Sequence, residues 1–197
     1  MTNASSISDR LHALKAALPA HVQLVAVSKT KPVELLQEAL NAGQVDLGEN
    51  RVQEMNAKAE HFDGQPVRWH HIGHLQTNKV KQAIRHAHLI HAVDSDRLLA
   101  EIDKRSVNAG IQSRVLLQLH IAQEEQKHGM TEAELDATLN AIASAPLKHT
   151  EICGLMGMAT FTDDAVQVGS EFLFYLSEHC QSIYRATCFP QRCTHST

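Results

Sequence analysis

Aromatic residues are scarce in this chain of 197 residues: they make up 4% of it, and Trp69 is the single tryptophan. Charge of one sign is not in excess either, since 22 acidic and 18 basic residues give a formal net charge of -4. Proteins that bind nucleic acid electrostatically carry a strongly basic surface. The composition therefore argues against a nucleic-acid-binding protein.

Long apolar runs are also missing from the sequence. None reaches the roughly 18 to 20 residues that a bilayer crossing requires, and the opening stretch MTNASSISDR lacks the charged and apolar regions of a secretory signal. The four cysteines, Cys153, Cys180, Cys188 and Cys193, all lie in the last third of the chain, which is not typical of a disulfide framework. We therefore expect a cytoplasmic protein with no membrane partner.

What the chain does contain is an alternation of strand and helix patterns. After an opening helix over about 8–18, six units follow in which a short apolar strand leads into an amphipathic helix. The strands are predicted at 22–28, 44–48, 67–73, 87–93, 113–121 and 150–159. Such alternation indicates parallel strands with right-handed crossovers. Periodicity alone leaves two alternatives, a doubly wound open sheet and most of a (β/α)8 barrel.

The sequence shows no repeat and no obvious linker, so residues 1–180 are predicted to form one domain. The final stretch, CQSIYRATCFPQRCTHST, differs from the rest of the chain. It contains three of the four cysteines and has no clear apolar period. Residues 181–197 are therefore treated as an atypical tail.

The first strand pattern, VQLVAVS, ends at Lys29, just before a helix that begins near Pro32. In parallel α/β folds, ligands bind at the carboxyl ends of the strands. If the strand face that Lys29 shares with Val27 points into a barrel, partial desolvation favours the neutral amine, which can form an imine with an aldehyde. The alternative is a lysine that simply reaches into solvent, and this suits the neighbouring Lys31.

The stretch DLGENRVQE places Asn50 at the next junction from strand to helix. An asparagine at such a junction can cap the helix that follows. It can also hydrogen-bond a ligand across the strand ends, and the two roles are compatible. Near the sixth strand end, Met156 and Met158 are typical of core packing, although their position allows an apolar contact with a flat ligand.

His70 and His74 in WHHIGHLQTNK invite a zinc interpretation. A spacing of four brings two side chains together on a helix, however, and this stretch is predicted to be a strand that Gly73 interrupts. No carboxylate or cysteine follows at ligand spacing, so no metal site is predicted. Gly73 is interpreted as a position where the backbone passes close to a neighbouring group.

Five segments together resemble one known family. VAVSKTKP, GENRVQE, WHHIGHLQTNK, IHAVDS and GLMGMA have the order and approximate spacing of motifs in the pyridoxal phosphate homeostasis proteins, the YggS or PROSC family. The resemblance covers about 22–176. It implies a parallel (β/α) barrel of the TIM type, similar to the amino-terminal domain of alanine racemase, and incomplete here with about six units visible. It also implies pyridoxal 5'-phosphate as the cofactor.

The resemblance implies a role for four residues. Lys29, in VSKT, matches the Schiff-base lysine, and Asn50, in GEN, lies beside the cofactor ring. Met156, in GLM, faces the pocket, and Lys127, in EEQKHG, matches a lysine that can serve as a secondary anchor. Family members carry the cofactor without established turnover, so we expect no catalytic residue. We also expect a monomer, with pyridoxal phosphate-dependent acceptor enzymes as candidate partners.

Two other functions are compatible with the same residues. A small racemase or decarboxylase would use Lys29 together with an acid/base group on the opposite face of the cofactor, and we find no credible partner for that role in the sequence. A degenerate chain that keeps the scaffold and binds nothing is the second alternative. Imine absorbance distinguishes the degenerate chain, which would show none, from the other two functions. Turnover of amino acids distinguishes the enzyme from the carrier.

The chain also departs from the family pattern. Family members continue with segments that carry a Ser-Met-Gly-Met-Ser type motif and an Arg-Ile-Gly type motif, which hold the phosphate through backbone amides. Neither motif is present in this sequence. A frameshift or a truncated product would explain the difference, and we expect weaker retention of pyridoxal phosphate than in a longer relative.

Overall fold

Strands and helices alternate along the chain, as the sequence predicts. The structure, a computed structural model, describes residues 6–121 and 128–173. The helices are α1 (Ile7–Ala17), α2 (Val33–Asn41), α3 (Val52–His61), α4 (Val80–Ala83), α5 (Asp96–Ala109) and α6 (Glu132–Ser144). The strands are β1 (Ala26–Val27), β2 (Asp46–Glu49), β3 (Arg68–His71), β4 (Ala87–Val93), β5 (Ser113–Leu119) and β6 (Thr150–Gly157). Residues 165–173 are helical as well.

The six strands form one parallel sheet in the order β1-β2-β3-β4-β5-β6, so strands that follow one another in the chain are neighbours in the sheet. A doubly wound sheet reverses its strand order at a switch point, and the described strands contain no such reversal. The continuous order is that of a (β/α) barrel. The chain therefore has the barrel fold, with β1 and β6 at the two edges of the part that the structure describes.

The helices cover one face of this sheet with apolar side chains. One cluster joins β2 and β3 to α2 and α3, and consists of Leu36, Leu47, Met55, Ala59, Phe62 and Trp69. A larger cluster joins β4, β5 and β6 to α5 and α6, and includes Ile90, Leu98, Ile102, Val115, Leu117 and Leu135. Each fully buried side chain of this size contributes roughly 1.5–3 kcal/mol. Because side chains alternate along a strand, residues between these positions face the inside of the barrel.

Capping side chains fix the starts of three helices. Ser6 and Thr131 each form a capping box with an acidic residue three positions later. Ser95 accepts a hydrogen bond from the backbone N–H of Leu98 at the start of α5, and Gly110, with φ 65°, ends that helix. The cap at Ser95 places Asp94 at the junction between β4 and α5.

Two elements differ from their predicted lengths. The first strand covers Ala26–Val27 instead of 22–28, and before it the carbonyl oxygen of Leu24 accepts from the side-chain amide of Gln44. Between the strands predicted at 67–73 and 87–93 the pattern predicts a helix around 76–86, and the structure has there a 3-10 turn, Thr77–Lys79, followed by the four residues of α4. Of the helices described, none combines the length and the apolar character of a membrane span. The tail 181–197 lies outside the described residues, so the domain boundary at 180 stays a prediction.

Candidate functional site

The carboxyl ends of β1, β2 and β3 bring two of the predicted site residues together. Val27 pairs with Gly48 in the parallel register, and the next residues of the same face are Lys29 and Asn50. The backbone N–H of Ile72 donates to the Glu49 carbonyl oxygen at 2.9 Å, which extends the pairing to the loop after β3. Lys29 and Asn50 are thus neighbours at the rim of the barrel.

Lys29 is exposed in the structure. Val27, below it on the same strand face, has 54% of its surface exposed, because the described residues do not cover the inner side of the edge strand β1. The partial desolvation expected for the Lys29 ammonium group is therefore absent in the described part of the chain. Its amine is accessible to a ligand that enters from solvent.

A buried ammonium group fixes the turn that carries Lys29. The side chain of Lys58, on α3, is 8% exposed. Its Nζ donates to the carbonyl oxygen of Ser28 at 2.8 Å, to Glu49 Oε1 at 2.7 Å and to Glu54 Oε1 at 2.8 Å. A lysine ammonium group has three donors, and each of them has an acceptor here.

The same two carboxylates hold the turn on both sides of Lys29. Ser28 Oγ donates to Glu49 Oε1 at 2.6 Å, and the backbone N–H of Thr30 donates to Glu54 Oε1 at 2.6 Å. The hydrogen bond from Lys58, together with that from Thr30, lowers the pKa of Glu54 despite its partial burial. Thr30 has φ 61°, a conformation that β-branched residues rarely adopt. The backbone of Lys29 is therefore held in place while its side chain is exposed.

Asn50 does not cap α3, so the first of the two roles considered for it is wrong. The N-cap residue is Arg51, whose side chain makes no capping hydrogen bond. The backbone of Asn50 instead contacts Gly73 so closely that a Cβ atom on Gly73 would lie 2.5 Å from the Asn50 carbonyl oxygen. The interpretation of Gly73 as a point of close approach is thus confirmed. The half-buried side chain of Asn50 stands at the rim beside Lys29.

Below the rim, the inner face of the sheet carries a polar network. Arg68 donates to Asp46 Oδ2 at 2.6 Å, and His70 Nε2 lies 3.0 Å from Asp46 Oδ1. The other ring nitrogen of His70 lies 2.8 Å from His91 Nε2. Burial lowers the pKa of His70 and lowers the pKa of His91 to about 4. His70 is therefore engaged inside the barrel, whereas His74 lies near Asp94, and these two histidines do not share a site.

Met156 and Lys127 are less closely tied to Lys29. Met156 is half-buried in β6 and pairs with Gln118 of β5. Since β6 and β1 form opposite edges of the described sheet, the strand order does not make Met156 a neighbour of Lys29. Lys127 lies outside the described residues.

Sequence reasoning did not single out Lys58. A signal was present, however, because Lys58 follows Glu54 by four residues and shares the buried face of α3 with Met55. A lysine in an apolar stripe is buried at a cost unless it is paired. The three acceptors around Lys58 come from the turn after β1, from β2 and from α3, so they are brought together only by the fold.

Comparison with known sequences identifies the family. The model of the alanine racemase N-terminal domain family matches residues 2–195. A pyridoxal phosphate homeostasis protein from Helicobacter pylori is 35% identical over 153 residues, which are 77% of this chain and 68% of the relative. The protein of the same name from Vibrio alginolyticus is 36% identical over 150 residues, or 74% of this chain and 64% of the relative. The chain thus spans about two thirds of the length of these relatives.

Solved structures agree with this assignment. PipY of Synechococcus elongatus, solved without pyridoxal phosphate, is 34% identical and superposes with a TM-score of 0.83, over 92% of this chain and 84% of PipY. PipY with pyridoxal phosphate bound gives a TM-score of 0.80 at 33% identity, over 92% and 83% of the two chains. An alanine racemase from Clostridium difficile, at 13% identity, shares the fold, with a TM-score of 0.73 over 93% and 47%. The chain belongs to the alanine racemase N-terminal domain family and, within it, to the pyridoxal phosphate homeostasis proteins.

Proposed function

We propose that this protein binds pyridoxal 5'-phosphate and takes part in the intracellular homeostasis of that cofactor, with Lys29 as the point of covalent attachment. The relatives named as homeostasis proteins and the PipY structure with pyridoxal phosphate bound support this function. The choice of Lys29 rests on one observation. Lys29 presents an exposed amine at the carboxyl-end rim, on a turn that the buried Lys58 fixes.

The residues at the rim fit an aldehyde ligand. A primary amine condenses with an aldehyde to form a Schiff base, and one water molecule is released. Glu49 accepts from the hydroxyl of Ser28 and Glu54 accepts from the backbone N–H of Thr30, so the turn that carries Lys29 is held on both sides. Asn50, one strand along, offers an amide that can donate to or accept from polar atoms of a ring. When bound, pyridoxal phosphate supplies the reactive aldehyde and an electron-accepting ring.

Two further residues belong to the proposal by family resemblance. Met156, on β6, is assigned an apolar contact with the cofactor, which its half-buried position on the sheet supports. Lys127 is assigned the role of a secondary anchor. A cytoplasmic monomer that passes the cofactor to pyridoxal phosphate-dependent enzymes completes the proposal.

The protein is proposed to hold its cofactor without turnover of amino acids. Its curated relatives are named for homeostasis and not for a reaction. A racemase or decarboxylase that uses Lys29 would convert an amino acid when the purified protein is loaded with cofactor. Chiral analysis of alanine, and of the amine products of decarboxylation, tests this alternative directly.

Titration of the protein with pyridoxal phosphate tests the assignment of Lys29. We expect the visible absorbance of a Schiff base. Borohydride should reduce the imine to a stable secondary amine, which removes that absorbance and leaves a modified peptide that contains Lys29. Lys29→Ala should abolish the absorbance. Lys31→Ala is the matched control, because Lys31 is also exposed and lies two residues away. A reduced adduct on another lysine, or full absorbance in Lys29→Ala, would overturn the assignment.

A further inference from the structure

Three metal-ligating side chains converge on one point of the rim, away from β1. His74 follows β3, Asp94 follows β4, and His128 precedes α6. His74 Nδ1 lies 3.1 Å from Asp94 Oδ2, and His128 Nδ1 lies 3.8 Å from the same oxygen. One ligand atom from each residue falls within 4.8 Å of the other two. We infer that these three residues, the rim triad, bind a divalent transition-metal ion of the zinc class.

The distances in the rim triad suit a metal ion. Zinc binds imidazole nitrogen and carboxylate oxygen at 2.0–2.2 Å, so the ligand atoms of a tetrahedral site are about 3.4 Å apart. The two separations measured from Asp94 Oδ2 lie on either side of that value. A hydrogen bond explains the position of His74 beside Asp94. His128 Nδ1 lies beyond hydrogen-bond reach of the same oxygen, and its ring is placed there by stacking on His74.

The chemistry of the donors also suits such an ion. Two imidazoles and one carboxylate are a common ligand set of zinc sites that keep a fourth position open for water or a ligand. Asp94 is held in place, since its side chain is 13% exposed and Ser95 Oγ donates to its Oδ1 at 3.4 Å. Outer hydrogen bonds of this kind orient the ligands of metal sites.

The two rings have to rearrange slightly when an ion binds. The imidazoles of His74 and His128 are stacked, with centroids 4.3 Å apart and an angle of 17° between their planes. Nearly parallel rings direct their Nδ1 lone pairs side by side, so one ring must turn before both can share an ion. The side chain of His128 is 61% exposed, compared with 44% for His74, so His128 is the ring that turns.

The rim triad shares no residue with the proposed pyridoxal phosphate site, although His74 directly follows Gly73, which contacts the backbone of Asn50. Lys29 and Asn50 follow β1 and β2, whereas the triad joins the loops after β3 and β4 to the residues before α6. An ion at the triad would link these three loops to one another. The inference therefore stands or fails without reference to Lys29.

Titration of the full chain with metal ions tests the rim triad. After treatment with a chelator, we expect calorimetry with Zn²⁺ to detect one ion per chain that binds more tightly than any others, and Co²⁺ to give a visible ligand-field absorption. His74→Ala, Asp94→Asn and His128→Ala should each weaken binding by at least about tenfold. Zn²⁺ should raise the melting temperature of the native chain and not that of the variants.

Controls separate the rim triad from other histidines of the chain. His21→Ala removes an exposed histidine elsewhere and should leave the tight binding unchanged. His128→Ala, with its exposed ring, should keep the metal-free melting temperature of the native chain, so its loss of binding reports on ligation. Equal Zn²⁺ affinity in the native chain and in His128→Ala, or no one-to-one binding in the native chain, would overturn the inference.

Discussion

Gly73 and Asn50 are in direct backbone contact across two neighbouring strand ends. A Cβ atom added to Gly73 would lie 2.5 Å from the carbonyl oxygen of Asn50 and 2.9 Å from its Cα atom. Real side chains do not tolerate such distances, so the loop after β3 can approach the junction after β2 because residue 73 has no side chain. The position of Asn50 at the rim, beside Lys29, depends on this approach.

Gly73→Ala is expected to destabilise the protein and to displace Asn50. The added methyl group meets backbone atoms, which cannot rotate away, so the loss of stability should be about 1–3 kcal/mol. Urea unfolding measures the loss, and titration with pyridoxal phosphate should show weaker binding. Gly169→Ala is the control, because nothing lies within 4 Å of its added Cβ atom. Equal stability of Gly73→Ala and the native chain would contradict the contact.

Lys58→Met is expected to cost about 3–5 kcal/mol of stability, since it leaves a buried carboxylate without its cation. Glu49, the carboxylate in question, is fully buried. Lys104→Met, at an exposed position of α5, should change the free energy of unfolding by less than about 0.5 kcal/mol. Adding Glu49→Gln to Lys58→Met should recover part of the loss. If Lys58→Met unfolds at the same urea concentration as Lys104→Met, the buried hydrogen bonds of Lys58 contribute nothing to the stability of the fold.

Stability is expected to fall as the pH decreases from about 6.5 towards 4. His71 is fully buried, neither of its ring nitrogens has a hydrogen-bond partner among the described residues, and burial lowers its pKa from 6.5 to about 4. The unfolded chain therefore takes up a proton at a higher pH than the folded chain does. Between pH 7 and pH 5, His71 alone should remove about 2 kcal/mol of stability.

His71→Leu should flatten this pH dependence by about the same 2 kcal/mol, because leucine has no proton to gain. It should keep most of its stability at pH 7, since an unpaired buried polar group is replaced by an apolar one. Urea unfolding at pH 7 and pH 5 measures both effects. His21→Ala, at an exposed site, should retain the native pH profile. An unchanged slope in His71→Leu would show that His71 does not bind the proton.

Asn50→Ala is expected to weaken the binding of pyridoxal phosphate by up to about tenfold, the effect of one lost hydrogen bond. Its stability should change little, because the Asn50 side chain does not cap α3. Asn108→Ala, on the exposed side of α5, serves as the matched control. Cofactor titration followed by absorbance measures the affinity. Equal affinity in the two variants would remove Asn50 from the proposed site.

Local sequence signals predicted most of the fold. β4 has the bounds expected from AHLIHAV, and α5 and α6 begin after Ser95 and Thr131, whose side chains cap them. Strand order could not be read from periodicity, because a doubly wound sheet and a barrel use the same alternation. The strand order follows only from the pairing of the strands in the structure.

The candidate site was predictable in part. The rim positions of Lys29 and Asn50 could be predicted, because each follows a strand and lies within a family motif, while their contacts with a cofactor stay predictions. The buried position of Lys58 could not, since its acceptors belong to separate elements. The contact between His74 and His128 could not be predicted from the sequence either, because 53 intervening residues separate them. Their contact depends on how the loops are placed.

The sequential strand order bears on how this chain acquires its structure. Every pairing in the described sheet joins segments separated by a single crossover, such as Ala26 with Leu47 and Leu47 with Trp69. The entropy lost in closing each loop is therefore small, and no pairing has to wait for a distant part of the chain. Assembly can advance from the amino terminus, each unit docking on the one made before it, during synthesis on the ribosome.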